Sequence, residues 1–413
     1  MVERALLVRA RLQSENAEES ESLLDELGEL VATLGVPVVG REHVVYRETH
    51  ARFLIGSGKA ETIVEKAKEV SADVMIFDNE LTPAQQRNWD KLANILVIDR
   101  QEVILDIFGQ RAQTHEARLQ VELARLEYSL PRLVRAWSHL GQQGGGIGGR
   151  GEGETQLEQD KRSIRDRIAR LKREIESVRS ARATQRKDRK RAPVPNAAIV
   201  GYTNAGKSSL LRALTGADVL VEDKLFATLD TTTRKIALTN RQPLLLTDTV
   251  GFVRNLPHRL VEAFNATLEE AVLSDFLVHV VDASAKNARE FYETTRRVLS
   301  ELGAEDKRTL VVFNKTDAAT PEALISLRRD FPDAQFVSVH TREGLDALVE
   351  RLGEFVADDL VTLELRIPQS RSDLLARLHR EADIRDLDYE GNFVHARVRL
   401  TPRTARDFEE FAK

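Results

Sequence analysis

The apolar run Ala197–Val200 leads into GYTNAGKS, Gly201 to Ser208, and then into a helical stretch, Ser209–Leu214. A G-x-x-x-x-G-K-S string set between strand and helix admits few folds, because it works only as the turn of a βα unit. Its glycines let successive backbone N–H groups face phosphate oxygens, and the helix N-terminus adds its positive end. Lys207 is expected to meet the β and γ phosphates, and the Ser208 hydroxyl to ligate Mg²⁺. Tyr202, Thr203, Asn204, Ala205, Gly206 and Ser209 complete the expected cradle.

A similar string upstream, FLIGSGKA at 53–60, fails twice. Phe53 stands where the first glycine is needed and Ala60 where the hydroxyl is needed. It reads as a strand end, a turn and a helix start.

Two further strings follow GYTNAGKS in a telling order. The apolar run Pro243–Asp248 ends in DTVG, where Asp248 at a strand tip can hold Mg²⁺ and the Gly251 N–H can meet the γ-phosphate. NKTD, Asn314 to Asp317, follows the buried-strand run Thr309–Phe313. A carboxylate at Asp317 accepts from guanine N1–H and its exocyclic amine. Adenine offers neither donor there, and a polar group left unpaired is the cost of the wrong base. Asn314 and Lys315 shape the pocket, with backbone from Ser338 and Val339 near the guanine carbonyl. Between loop and DTVG, FATLDTTTRK supplies Phe226 and four threonines, Thr228, Thr231, Thr232 and Thr233, of which one is expected to bind Mg²⁺ and the γ-phosphate. Phe252 follows DTVG and cannot hydrogen-bond a water. Unaided hydrolysis is therefore expected to be slow and to depend on a partner.

The rest of the chain is organised around this unit. At 413 residues it exceeds one ordinary core. Strand-like Ala5–Val8, Val36–Tyr46, Asp73–Phe77 and Ile95–Ile98 alternate with helical Ser22–Leu34, Lys59–Val70 and Pro83–Ala93, implying an α/β domain at 1–110. Leu119, Leu123, Leu126, Leu130, Leu133, Trp137 and Leu140 form a heptad seam, and Leu157, Ile164, Ile168, Leu171, Ile175 and Val178 form a second, with Lys161 in its polar slot. GQQGGGIGGRGEGE, 141–154, is expected to break any helix between them, and Pro131 to kink the first. Residues 111–192 thus read as an antiparallel hairpin roughly 30 Å long. A plain two-helix packing element is the competing reading. The α/β nucleotide unit spans 193–357, and a small α+β unit spans 358–413, with strands Val361–Ile367 and Phe393–Leu400.

Charge favours the hairpin as a contact surface. Residues 154–191 hold 14 Lys and Arg against 7 Asp and Glu, although the whole chain is at −5. A basic projection on an acidic body points to nucleic-acid phosphate. Few aromatics interrupt it, so shape-read folded RNA fits better than a stacked single strand. With no cysteine, disulfides and thiolate metal sites are excluded. No apolar run reaches membrane-spanning length and no apolar signal core opens the chain, so a cytoplasmic protein is expected.

Together GGRGEGETQLEQDKR (148–162), GYTNAGKS, FATLD, DTVGF and NKTD resemble the HflX family of ribosome-associated GTPases over most of the chain. The resemblance implies GTP and GDP as ligands, Thr228 as the switch threonine, and Lys207, Thr228 and Gly251 as the residues acting on the γ-phosphate. It implies docking of the arm and N-terminal domain on the large ribosomal subunit, and splitting of stalled or idle 70S ribosomes under stress, by a monomer. Other readings are a nucleotide-switched module that silences the large subunit, or a GTPase assisting ribosome assembly or RNA modification. Glu152 stands where the family commonly has proline, and Val339 where it often has alanine.

Overall fold

The structure is a computed structural model that describes residues 3–133, 152–189, 194–216, 225–239, 242–255, 265–358, 361–400 and 402–412. The chain divides into two compact units. The first comprises Met1–Arg179, Glu222–Asp230 and Val253–Ala266; the second comprises Ser180–Val221, Thr231–Phe252 and Thr267–Lys413.

The first unit is built on a four-stranded parallel sheet ordered β2-β1-β3-β4, with β1 at Ala5–Leu12, β2 at Val38–Tyr46, β3 at Val74–Phe77 and β4 at Leu96–Asp99. The β3 run VMIF is buried throughout, as expected of a parallel strand covered on both faces. Helices α1 (Ala17–Thr33), α2 (Ser57–Glu69), α3 (Pro83–Ala93) and α4 (Arg100–Arg111) connect and flank the strands. Thr82 starts α3 through a reciprocal cap with Gln85, with Pro83 in the first turn. Asp99, fully buried, accepts from the amides of Gln101 and Glu102 and so starts α4. That helix is not apparent from the sequence pattern. Residues 53–60 form a turn and the start of α2, with an isolated bridge between His50 and Leu54 in place of the expected strand end.

The next helix, α5 (His115–Ser129), passes into a 3₁₀ turn at Leu130–Arg132, where Pro131 ends the α-helical pattern. Leu119 and Leu123 share an apolar cluster with Leu171 and Ile175 of α6 (Glu152–Arg189), so the two seams do meet. Glu122–Arg167 and Glu127–Lys172 flank that cluster, each at 2.8 Å. One expectation fails: the glycine-rich segment is expected to be free of helix to 154, yet α6 begins at Glu152 and runs through Gly153. A single glycine costs a helix only about 1 kcal/mol, which a 38-residue helix absorbs. Residues 134–151, including Trp137 and Leu140 of the first seam, lie outside the described residues.

The second unit carries a six-stranded sheet, ordered β10-β9-β8-β5-β7-β6. Its strands are β5 (Asn196–Gly201), β6 (Thr232–Ala237), β7 (Pro243–Asp248), β8 (Phe276–Asp282), β9 (Thr309–Asn314) and β10 (Gln335–Phe336). Only β6 is antiparallel, pairing with β7. Strand order reverses at β5, which places a crevice at its carboxyl end. The same unit holds a three-stranded antiparallel sheet, β11-β13-β12: β11 is Val361–Pro368, β12 Asp383–Glu390 and β13 Phe393–Leu400. The charged run DIRDLDYE of β12 lacks a strand's apolar alternation, which is why the sequence reading missed it.

Candidate guanine-nucleotide site

The loop after β5 owes its shape to three left-handed or glycine-only positions. Gly201, at φ +149°, has no room for a side chain, since a Cβ would lie 2.1 Å from the Val280 carbonyl oxygen. Asn204 (φ +58°) and Gly206 (φ +91°) turn the chain into helix α7, Lys207–Thr215. The Thr203 amide donates to the Phe252 carbonyl at 2.8 Å and the Phe252 amide to the Gly201 carbonyl at 3.1 Å, so the segment after DTVG is laced to the loop.

Lys207, 6% exposed, donates to the Tyr202 carbonyl at 2.8 Å. Burial lowers its pKa to about 8, with the Asp248 carboxylate pulling the other way. Asp248 is fully buried at the end of β7 and accepts from the Ser208 hydroxyl at 2.6 Å. These two hard oxygen donors, side by side, suit a magnesium ion. Gly251 lies so close that a Cβ there would be 2.8 Å from Lys207 Nζ and 2.7 Å from Thr203 Cγ2. Any side chain would displace the lysine. Ser209 sits half-buried in the first turn of α7, and Ala205 is buried.

The base-reading strings converge on the same loop. Asn314, 2% exposed, donates through Nδ2 to the Ala205 carbonyl at 2.9 Å and accepts the Val339 amide at 3.2 Å. It thereby ties three segments together. Lys315, in a left-handed conformation at φ +61°, pairs with Asp282 at 2.7 Å. Asp317 accepts the Ser338 hydroxyl at 2.6 Å, and that bond is the main reason its carboxyl stays below the ordinary range. The Ser338 oxygen also accepts the Thr341 amide at 3.0 Å. A carboxylate held in one orientation is what a two-donor base edge requires.

Thr232 and Thr233 lie on β6, Thr233 sharing a hydrogen bond with Thr247 at 2.9 Å, which engages it in sheet pairing. Phe226 and half-buried Thr228 fall in the first unit instead. There the Phe226 ring, 2% exposed, meets Phe108 edge-on at 4.6 Å. The sequence reading overlooked one partner of the loop: Tyr202 stacks on Phe291, rings 4.0 Å apart and 11° from parallel. Phe291 lies on helix α8, Ala288–Glu301, and no motif marks it.

Comparison with known proteins adds three family matches: "GTP-binding GTPase N-terminal" at 21–109, "GTP-binding GTPase Middle Region" at 111–189 and "50S ribosome-binding GTPase" at 196–315. The GTPase HflX of Akkermansia muciniphila is 52% identical, covering 96% of this chain and 94% of its own. That of Escherichia coli is 42% identical over 86% of this chain and 84% of its own. Among solved structures, a GTP-binding protein from the archaeon Sulfolobus solfataricus in complex with GDP is 24% identical, at a TM-score of 0.45, over 86% of this chain and 99% of that one.

Proposed function

The chain belongs to the HflX family of GTPases and hydrolyses GTP; on that premise we propose that it binds the large ribosomal subunit and uses the nucleotide to split stalled or idle 70S ribosomes. The observation that carries this reading is one chain combining a guanine-nucleotide site with a helical arm whose free face is basic. Arg162, Arg165, Arg170 and Arg173 of α6 are exposed, while Leu171 and Ile175 are buried. The description "50S ribosome-binding GTPase" of the family matching 196–315 supports the same partner.

In this reading Lys207 grips the β and γ phosphates, the Gly251 N–H contacts the γ-phosphate, and Asp317 selects guanine. Ser208, Asp248 and Thr228 hold Mg²⁺, which when bound neutralises the charge that develops on the phosphate oxygens. Phe252 is 1% exposed and has no group to orient water, so turnover stays slow until a ribosomal surface rearranges the segments around it. Among the described residues no helix is long and apolar enough to cross a membrane, and the protein acts as a cytoplasmic monomer in this proposal.

Sedimentation of 70S ribosomes tests it. With GTP or a non-hydrolysable analogue the protein should convert 70S particles into subunits, with GDP or a Lys207→Ala variant it should not. Intact 70S under every nucleotide condition refutes the splitting role. If the protein still sediments with the large subunit, the silencing reading takes its place.

A further inference from the structure

Resting on the reading of Thr228 as the switch hydroxyl, we propose that two segments adjoining the nucleotide motifs in sequence control the root of the basic arm by gripping helix α4 at both ends and capping α5.

At one end, Arg254, two residues beyond Phe252 and 6% exposed, pairs with Glu26 of α1 at 2.9 Å and donates to the Ser22 carbonyl at 3.0 Å. Glu26 also pairs with Arg100, the first residue of α4. Arg100 in turn meets Asp78 at 2.7 Å, and Asp78 meets Arg9 at 2.7 Å. All five are buried. At the other end of the same helix, Phe226 packs on Phe108. Phe226 holds a left-handed backbone at φ +54°, which a bulky residue adopts only where its surroundings enforce it.

The third contact reaches the arm itself. Asp230 accepts the amides of Gln113 and Thr114 at 3.0 and 3.1 Å, and the Thr114 hydroxyl donates to its second oxygen. Thr114 is the N-cap of α5, its own hydroxyl accepting from Ala117. Only one residue separates Thr228 from Asp230, a span of at most about 7 Å. Movement of Thr228 on engaging a γ-phosphate is therefore passed to Asp230, and so to the cap of α5, through a single residue. Arg254 follows DTVGF as closely. Each nucleotide state is thus read at the base of the arm by one carboxylate and one guanidinium.

Amide hydrogen exchange on the full chain tests this without ribosomes. In the wild type, exchange at Gln113 and Thr114 should be at least tenfold faster with a non-hydrolysable GTP analogue than with GDP. In Asp230→Ala it should be equally fast in both. Equal rates in both wild-type states overturn the proposal. A second measurement uses purified bacterial large subunits. The wild-type ratio of affinities between GTP-analogue and GDP states should fall to within twofold of unity in Asp230→Ala and in Arg254→Met. Guanine-nucleotide affinity and basal turnover should stay within twofold of wild type in both variants, and unchanged circular dichroism guards against misfolding. If both variants keep the wild-type ratio, the coupling is wrong while the ribosomal reading stands. If the wild type itself has no ratio, both fall.

Discussion

The nucleotide site and the charge chain of the first unit are both buried and polar, yet they are assembled in opposite ways. The site draws on short strings of adjacent residues. The charge chain gathers Arg9, Glu26, Asp78, Arg100 and Arg254 from five separate places, the farthest pair in direct contact being 228 positions apart. In the first case local sequence dictates the geometry. In the second, the fold brings charges together that mean nothing in isolation.

The sharpest way to break this contrast is to remove the centre of the chain. Glu26→Ala leaves two buried guanidiniums short of a carboxylate, and chemical denaturation should show a loss of about 3–5 kcal/mol. A cost under about 1 kcal/mol would make the chain no more consequential than a surface pair. On the other side, Asp317→Asn should weaken GTP roughly a hundredfold and favour xanthosine triphosphate, whose edge presents an acceptor to the new amide, as read by competitive binding. The preference for guanine surviving that change would remove Asp317 from the site.

A smaller, graded effect concerns Lys207. Its amine titrates near 8 because burial disfavours the charged form, yet a triphosphate needs it protonated. Below pH 8 the proton is already present; above it, binding must take one up. Affinity for GTP should therefore fall as pH rises from 8 toward 9, approaching tenfold per unit, while Lys207→Arg is flat across that range. Calorimetry in buffers of different ionisation enthalpy reads the proton uptake directly. Smallest of all, Phe291→Ala removes the stack on Tyr202 and should cost about 1 kcal/mol of nucleotide affinity, with Phe291→Tyr restoring it. No change there would make the stack incidental packing.

Legibility follows the same division. That Gly201, Lys207, Ser208, Asp248 and Asn314 gather around one loop could be read from sequence because their motifs prescribe residue types at fixed spacing. The heptad seams could be read because Leu119, Leu123, Leu171 and Ile175 must share a face to be buried. Helix α4 could not: its start depends on a buried Asp99 cap that resembles any other aspartate. Strand β12 sets Ile384, Leu387 and Tyr389 opposite Val398, Ala396 and Val394 of β13, but an irregularity between Ile384 and Asp386 breaks their alternation and hides the strand in the sequence. Arg254 reads as a solvated arginine until the fold places Glu26 beside it.

The order of signs along that chain has one more consequence. Arg9, Asp78, Arg100 and Glu26 alternate, two cations with two anions, and Arg254 is a fifth, terminal member. Withdrawing Arg254 therefore leaves two buried guanidiniums with two buried carboxylates, Arg9 also reaching the more exposed Glu15, whereas taking away any inner member would strand a like-charged neighbour in the dark. The joint is built so that its outermost hook can be lifted and re-seated while the row beneath stays whole.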